Sequence, residues 1–254
     1  MAGRGRDEGS GCATAPLWDL VDELARGLVA AGETAGLPFV AAQSDLGDRT
    51  PMADRVGQPY AARFPWPAGE EGYWRNRRLA LQSIFLHAAR LVAEPFWYGD
   101  GRLGSWRPTR LLDGVDGRRV AETFNYTGAL IAPVHLPGGQ VGAVVWVATA
   151  PIDMAATFAD HAEPLFARAT RFLAAHAELT VPRRGVPAPL SAREVQCVRW
   201  AAAGKTNAEI GTILSLSVST VRFHLRNAGD KLGATTRARV IQLATGLGFL
   251  GPDA

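Results

Sequence analysis

The chain has 254 residues, 47% of them hydrophobic and 20% charged, a balance typical of a folded globular protein rather than a disordered one. That length holds one large domain or two of ordinary size, and the net charge of +3 is modest. No apolar run is long enough to cross a membrane, and the polar, Gly-rich start lacks an apolar signal core, so we expect a cytoplasmic protein.

The first part of the chain mixes helical and strand patterns. Residues 1–15 are polar and Gly-rich, which predicts a flexible tail. Leucines at helical spacing predict an amphipathic helix over 17–31, and a short strand over 37–42 follows it. Gly and Pro break up 44–70, which we interpret as loops with short helical turns. Apolar residues at helical spacing then predict a second helix over 72–93.

A hairpin and a long helix follow. Strands are predicted over 128–136 and 140–149, joined by a Pro-Gly-Gly turn. The helical pattern over 153–179 contains Pro164, which should kink or divide the helix. Residues 181–189 are rich in Pro and Arg, and this composition predicts a semi-rigid exposed linker. We therefore place the domain boundary in that segment.

Four short helices are predicted between residues 190 and 254. The capping-box pattern Ser/Thr-x-x-Glu opens the first two, and a single serine or threonine precedes each of the others. The four cap residues are Ser191, Thr206, Ser217 and Thr236. A short polar turn, Ser215-Leu216-Ser217, joins the second helix to the third. Two helices connected in this way form a helix-turn-helix.

The third of these helices, 217–232, has two distinct faces. One is an apolar stripe of Val221, Leu225, Ala228 and Leu232. The opposite face carries Ser219, Arg222, Phe223 and Arg226. Two arginines one turn apart suit bidentate pairing with guanine edges in the major groove of DNA. A merely solvated charged face is the alternative, and the preceding helix and turn favour the DNA interpretation.

The charge distribution agrees with a nucleic-acid partner for the last 65 residues. Residues 190–254 hold 8 Lys and Arg against 4 Asp and Glu, which leaves 19 basic and 20 acidic residues elsewhere. Both lysines of the chain, Lys205 and Lys231, lie in this C-terminal part. A basic module on a near-neutral remainder is the electrostatic pattern of a nucleic-acid-binding protein.

Four segments give this region a resemblance to the LuxR-type DNA-binding domain over roughly 190–250. They are Leu190-Ser191-x-Arg193-Glu194, Gly204-Lys205-Thr206-Asn207-x-Glu209-Ile210, Thr220-Val221-Arg222-x-His224-Leu225 and Lys231-Leu232-Gly233. The resemblance implies a four-helix, all-α domain in which 217–232 is the recognition helix, with Arg222 and Arg226 at base-reading positions. It implies phosphate or scaffold roles for Lys205, Thr206, Asn207, Ser219, Thr220, His224 and Lys231.

The same resemblance implies the partners. Members of the family bind double-stranded promoter DNA as homodimers, and the last helix is a usual dimer contact. RNA polymerase is a further partner that such regulators can contact. The apolar face of 236–250, with Val240, Leu243 and Leu247, is more than one small module should bury alone. We therefore expect a dimer that contacts itself through this face.

Aromatic residues are concentrated in one part of the N-terminal region. Ten of the 21 lie between positions 60 and 106. Such rings line apolar ligand pockets, and they equally fill ordinary cores, so composition leaves both interpretations open. Among them, with one serine, we single out seven candidates for a ligand site: Trp66, Tyr73, Trp74, Ser83, Phe96, Trp97 and Tyr98.

Residues 16–180 also resemble the autoinducer-binding domain that precedes LuxR-type modules, on the Pro95-Phe96-Trp97-Tyr98 segment, the Pro-Gly-Gly hairpin and the last long helix. The resemblance implies an α-β-α sandwich around an antiparallel sheet, an α+β fold, with an acyl-homoserine lactone as ligand. The family's ligand-binding aspartate falls near Ser83, and Tyr98 replaces a tryptophan. Because the acid is absent, an acyl-homoserine lactone is disfavoured, and another small molecule or none remains open.

Other classes of function find less support. An enzyme needs a convergent set of acid, base or nucleophile, and the histidines of the N-terminal region have no motif around them. Two cysteines far apart, Cys12 and Cys197, predict neither a disulfide framework nor a metal site, and no cofactor is expected. We therefore expect a dimeric, effector-controlled transcription regulator and not an enzyme. The alternative is a ligand-independent regulator whose N-terminal domain only dimerises or binds a protein.

Overall fold

The computed structural model describes residues 11–48, 50–67, 83–115, 126–180 and 188–251, with side chains from residue 15 onward. Apart from the hairpin turn 137–140, residues up to 181 belong to a first compact unit and those from 182 onward to a second. Most of the proposed linker 181–189 lies outside the described residues. In the described part of the chain, no helix is both long enough and apolar enough to span a membrane.

A five-stranded sheet forms the centre of the first unit. Its strands are β1 (Phe39–Gln43), β2 (Phe96–Gly99), β3 (Arg102–Ser105), β4 (Gly128–Leu136) and β5 (Gln140–Ala148), in the spatial order β1-β5-β4-β2-β3. Strand β1 runs antiparallel to β5, and β2 runs antiparallel to both β3 and β4. The predicted hairpin of β4 and β5 is confirmed, and it occupies the middle of the sheet.

The two faces of the sheet are covered by different helices. Because successive side chains of a strand point to opposite faces, Leu130 of β4 belongs to one core and Ile131 to the other. The first face packs against α1 (Gly11–Thr34) and α4 (Met154–Thr180). The second packs against α2 (Ile84–Leu91) and the single turn α3 (Arg110–Asp113). This arrangement is the expected α-β-α sandwich.

Helix α1 lies close against the sheet. Trp146 of β5 is fully buried, and its Nε1 donates a hydrogen bond to the carbonyl of Leu28 at 3.0 Å. A Cβ atom on Gly32 would come within 2.6 Å of the Trp146 ring. Glycine at 32 therefore allows the close approach, and the indole hydrogen bond satisfies a buried polar group that would otherwise be costly.

The structure bears on two predictions about helices. The long helix α4 runs continuously from Met154 to Thr180, so Pro164 does not divide it, while a kink at Pro164 stays a prediction. Proline destabilises the interior of a helix because one backbone hydrogen bond is missing and its ring clashes with the preceding turn. Here the buried residues before and after Pro164 pack against the same core, and we attribute the continuity of the helix to this packing. The helix predicted over 72–93 is described only from residue 83 onward, where α2 spans Ile84–Leu91.

His176 of α4 lies among aromatic rings in the first core. The rings of Trp18 and Tyr60 are 6.0 and 5.9 Å away between centroids. Its Nε2 donates to the carbonyl of Ala53 at 3.0 Å, and its Nδ1 has no hydrogen-bond partner among the described residues. Burial lowers the pKa of His176, although the bond to Ala53 opposes the shift. Folding therefore favours the neutral form of the ring.

Because the pKa of His176 is lowered, we expect the folded chain to lose stability in mild acid. The unfolded chain takes up a proton near pH 6.5, whereas the folded chain binds this proton less readily. The stabilisation of the fold by the neutral His176 ring is therefore complete above that pH and is lost as the pH falls below it. Melting temperatures between pH 8 and 5.5 should fall less in His176→Gln than in the wild type. His161→Gln, on the same helix, is the control. An equal pH dependence in all three proteins would contradict the assignment.

Candidate nucleic-acid interface

The second unit is a four-helix domain. Its helices are α5 (Ala192–Ala202), α6 (Asn207–Leu214), α7 (Val218–Leu232) and α8 (Arg237–Gly246), and α7 packs against the other three. All four predicted caps are present. Ser191 and Thr206 form complete capping boxes with Glu194 and Glu209. The hydroxyls of Ser217 and Thr236 each accept one backbone N–H.

The connection between α6 and α7 is a tight turn. Ser215 adopts a left-handed conformation with φ of 56°, and the N–H of Leu216 donates to the carbonyl of Gly211 at 2.8 Å. A Cβ atom on Gly211 would lie 2.7 Å from the carbonyl oxygen of Leu216. Only glycine fits there, because any side chain would push the turn away from α6. This turn gives the helix-turn-helix geometry that the sequence predicted.

The apolar stripe of α7 is confirmed as its buried face. Val221, Ala228 and Leu232 are buried, and Cys197 of α5 is fully buried beside Val221. The sequence of α6 predicts Ile210, Ile213 and Leu214 on its buried side, and Ile213 departs from that prediction. Ile213 is 42% exposed while Ile210 is fully buried. Ile213 lies away from the side of the short helix that meets the core.

The last helix also departs from the prediction. Val240, Ala244 and Leu250 are buried in the core of the domain, and Leu243 packs against the same cluster. The premise that one module cannot bury this apolar face was therefore wrong, because α5 and α7 cover most of it. Leu247, 40% exposed, is the large apolar residue of this segment that remains for a contact with a second copy.

The outer face of α7 carries the predicted base-reading side chains. Ser219, Arg222, Phe223 and Arg226 are all exposed. Within the described part of the chain, neither guanidinium forms an ion pair or a hydrogen bond. Both remain available for the planar, bidentate contacts that guanine offers.

Hydroxyl groups cluster at the start of α7. The Oγ atom of Ser217 lies 2.7 Å from the hydroxyls of both Ser219 and Thr220, and it accepts the N–H of Thr220 at 3.1 Å. The first N–H groups of a helix attract anions, since they carry the positive end of the helix dipole. This cluster suits a phosphate contact beside the base-reading face.

The predicted phosphate-contacting residues at the start of α6, Lys205 and Asn207, lie around Arg237 of α8. No sequence motif identified this arginine. Arg237 of α8 donates to the side-chain oxygen of Asn207 at 2.9 Å, and to the carbonyls of Ala201 and Lys205. The amide nitrogen of Asn207 is then the atom left to donate to a phosphate. The ammonium of Lys205 lies 3.6 Å from Glu209, and both side chains are about half exposed.

Lys231 has an internal partner. Its Nζ donates to the carboxylate of Glu194 at 2.8 Å and to the carbonyl of Pro189 at 3.2 Å. The side chain of Glu194 is only 5% exposed. Of the two roles that the resemblance implies, this geometry favours the scaffold. His224 is partly buried, with its ring 5.7 Å from that of Phe223, and it flanks the outer face of α7.

The N-terminal candidates divide between the two faces of the sheet. Phe96 and Tyr98 are buried in the second core, and Trp66 packs against that core. Trp97 packs against the first core, with its ring over Gly104. Trp97 therefore lies on the opposite face of the sheet from Phe96 and Tyr98, because adjacent residues of a strand point to opposite faces. A ligand site that includes Trp97 stays a prediction. Tyr73 and Trp74 lie outside the described residues.

Ser83 is the polar candidate in this region. It precedes α2, is 4% exposed and makes no cap hydrogen bond. Its hydroxyl has no partner among the described residues. A buried hydroxyl without a partner is destabilising by about 1–3 kcal/mol, which makes Ser83 a candidate contact for a bound molecule.

Known proteins resemble this chain in two ways. Residues 188–244 match the family described as "Bacterial regulatory proteins, luxR family". The transcriptional activator protein VanR of Vibrio anguillarum is 52% identical over 65 residues, 26% of this chain and 27% of the relative. The quorum sensing-dependent transcriptional regulator VjbR of Brucella ovis is 46% identical over 61 residues, 24% of each protein. The chain thus spans about a quarter of the length of the curated relatives it matches.

A solved structure matches over most of the chain. Escherichia coli SdiA superposes with a TM-score of 0.50 and 18% sequence identity, covering 90% of this chain and 91% of SdiA. At this identity the likeness concerns the fold. It supports the combination of an N-terminal sheet sandwich with a C-terminal helical domain.

Proposed function

We propose that this chain, whose C-terminal unit is a LuxR-type helix-turn-helix domain, is a sequence-specific regulator of transcription that binds double-stranded DNA. The observation that carries the proposal is the outer face of α7, where Arg222 and Arg226 are exposed and uncommitted within the described residues. Recognition helices read bases in the major groove with such side chains. The phosphate contacts would come from Lys205, Asn207 and the hydroxyl cluster of Ser217, Ser219 and Thr220.

Dimeric binding is the second part of the proposal. Two-fold dimers of helix-turn-helix proteins bind inverted half-sites about one helical turn apart. Footprinting of a DNA selected by the full-length protein should therefore show two protected half-sites related by a two-fold axis. Leu247→Asp should weaken protection of both half-sites together, while Val56→Asp, at a 74% exposed position of the first unit, should not. Protection of one asymmetric half-site by a monomer would contradict this part.

The third part is an apolar effector in the N-terminal unit. The second core contains Phe96 and Tyr98, and Trp66 packs against it. Ser83, just before α2, has a buried hydroxyl without a partner in the described residues. An apolar molecule with one hydrogen-bonding group would suit this combination. The resemblance implies an acid near Ser83 that would bind the amide of an acyl-homoserine lactone, and the chain has no acid there. We therefore propose a different class of molecule.

The effector proposal is tested on the protein purified from its own host. Mass spectrometry of released small molecules identifies a candidate, which should raise the melting temperature of the ligand-free protein. A tenfold excess over Kd corresponds to about 1.4 kcal/mol. Ser83→Ala should keep or raise the stability of the ligand-free protein, because it removes an unsatisfied hydroxyl, and should reduce the stabilisation by the effector.

The alternative predicts the opposite outcome. A regulator whose N-terminal unit only dimerises or binds a protein, RNA polymerase included, would release no small molecule and gain no stability from apolar compounds. If acyl-homoserine lactones of several chain lengths raised the melting temperature in a dose-dependent way, the proposal of a different ligand class would be wrong. Neither outcome bears on DNA binding by the C-terminal unit.

A further inference from the structure

Phe223 is an exposed aromatic residue at the centre of the outer face of α7. At 100° per residue, it lies almost opposite the buried side of the helix that Val221 and Ala228 mark. Ser219 lies one turn before it on the same face, and Arg226 lies one turn after it. Half of its surface is exposed to solvent. Its position is therefore more central on this face than that of either arginine.

The fold of the domain does not account for this ring. Phe223 belongs to neither of the two apolar clusters that form the core of the domain. Its described ring contact is with the neighbouring His224, at 5.7 Å between centroids. A phenylalanine in this position exposes apolar area that a polar residue would not, so packing gives no reason for its presence.

The surroundings of Phe223 indicate what kind of surface would cover it. A protein interface buries a contiguous apolar patch and has few charges at its centre. Phe223 instead has Ser219, Arg222 and Arg226 around it, which are side chains that contact base edges and phosphates. The major groove also offers one apolar group, the C5 methyl of thymine, and phenylalanine is a side chain that contacts it.

We propose that Phe223 contacts a thymine methyl group, so that each half-site contains a thymine next to the bases read by Arg222 and Arg226. The assignment rests on the proposed DNA-binding function and adds a third reading position to it. The two arginines select guanine through hydrogen bonds. Phe223 selects thymine through apolar contact, and it discriminates against cytosine, which has no methyl group at this place.

The test begins with a selection from a random double-stranded DNA library by the full-length protein. Each thymine of the selected site is then replaced in turn by uracil, which removes only the methyl group. At one position in each half-site the Kd should rise about fourfold, the effect of returning one methyl-sized group to water. Cytosine there should bind more weakly still, and 5-methylcytosine should recover part of the loss.

Phe223→Ala separates this contact from other effects of the methyl group on DNA shape. The variant should bind the thymine and uracil sites equally, while Arg222→Ala should keep the preference for thymine. If no uracil substitution changes the Kd, or if the preference persists in Phe223→Ala, the inference is wrong and the DNA-binding function still stands. If no sequence is enriched from the library, the proposed function itself fails.

Discussion

Arg222→Ala is expected to raise the Kd for the selected DNA site about 5- to 150-fold, which corresponds to a loss of about 1–3 kcal/mol. The side chain is exposed on α7 and makes no ion pair among the described residues, so its removal leaves the fold intact. A guanidinium pairs with two acceptors of one guanine, and alanine offers neither donor nor charge. The base preference should therefore relax at one position per half-site. Affinity for unrelated DNA should fall far less.

Lys205→Ala is the matched control for this measurement. Lys205, just before α6, carries the same charge as Arg222. Its proposed contact is with a phosphate, and a phosphate contact carries no sequence information. Its removal should weaken specific and unrelated DNA to a similar extent and should lower the salt dependence of binding by about one ion. If Arg222→Ala bound the selected site with unchanged affinity and base preference, the recognition-helix assignment would be wrong.

The C-terminal unit was predictable because its signals are local. Each cap joins two residues three positions apart, so the Ser191 and Thr206 capping boxes could be read directly from the sequence and are present. The buried stripe of α7 follows from helical spacing alone. Contacts between residues far apart in the sequence could not be predicted. Arg237 bonds to Asn207, 30 residues earlier, and no pattern links the two.

Three of the five strands of the N-terminal sheet, β1, β4 and β5, match strands that the sequence predicts. The long central strands β4 and β5 gave clear patterns, whereas the hairpin of β2 and β3 was missed because each strand has four residues. A signal did exist. Asp100-Gly101 is a typical two-residue hairpin turn, and both residues have positive φ, 51° and 72°. This hairpin also places Phe96 and Trp97 on opposite faces, which composition alone could not show.

Lys231→Met is expected to destabilise the C-terminal unit by about 1.5–3 kcal/mol, the usual worth of a hydrogen bond to a charged group. The methionine keeps the length of the side chain but leaves the carboxylate of Glu194, 5% exposed, without its cation. Hydrogen exchange of the peptides from α5 and α7 in the full chain measures this loss locally. Lys205→Met breaks the more exposed pair with Glu209 and should change exchange little.

The ion pair between Glu194 and Lys231 should also make the stability of the fold depend on pH in acid. Burial raises the pKa of Glu194, but the hydrogen bonds from Lys231 and Ser191 outweigh it and hold the pKa below its usual value. The carboxylate therefore stabilises the fold above its unfolded pKa of about 4.5, and this contribution is lost as the pH falls through the lower, folded value. Lys231→Met should shrink this acid-dependent loss. If the variant exchanged like the wild type and instead lowered the salt dependence of DNA binding, Lys231 would contact a phosphate and the scaffold role would be wrong.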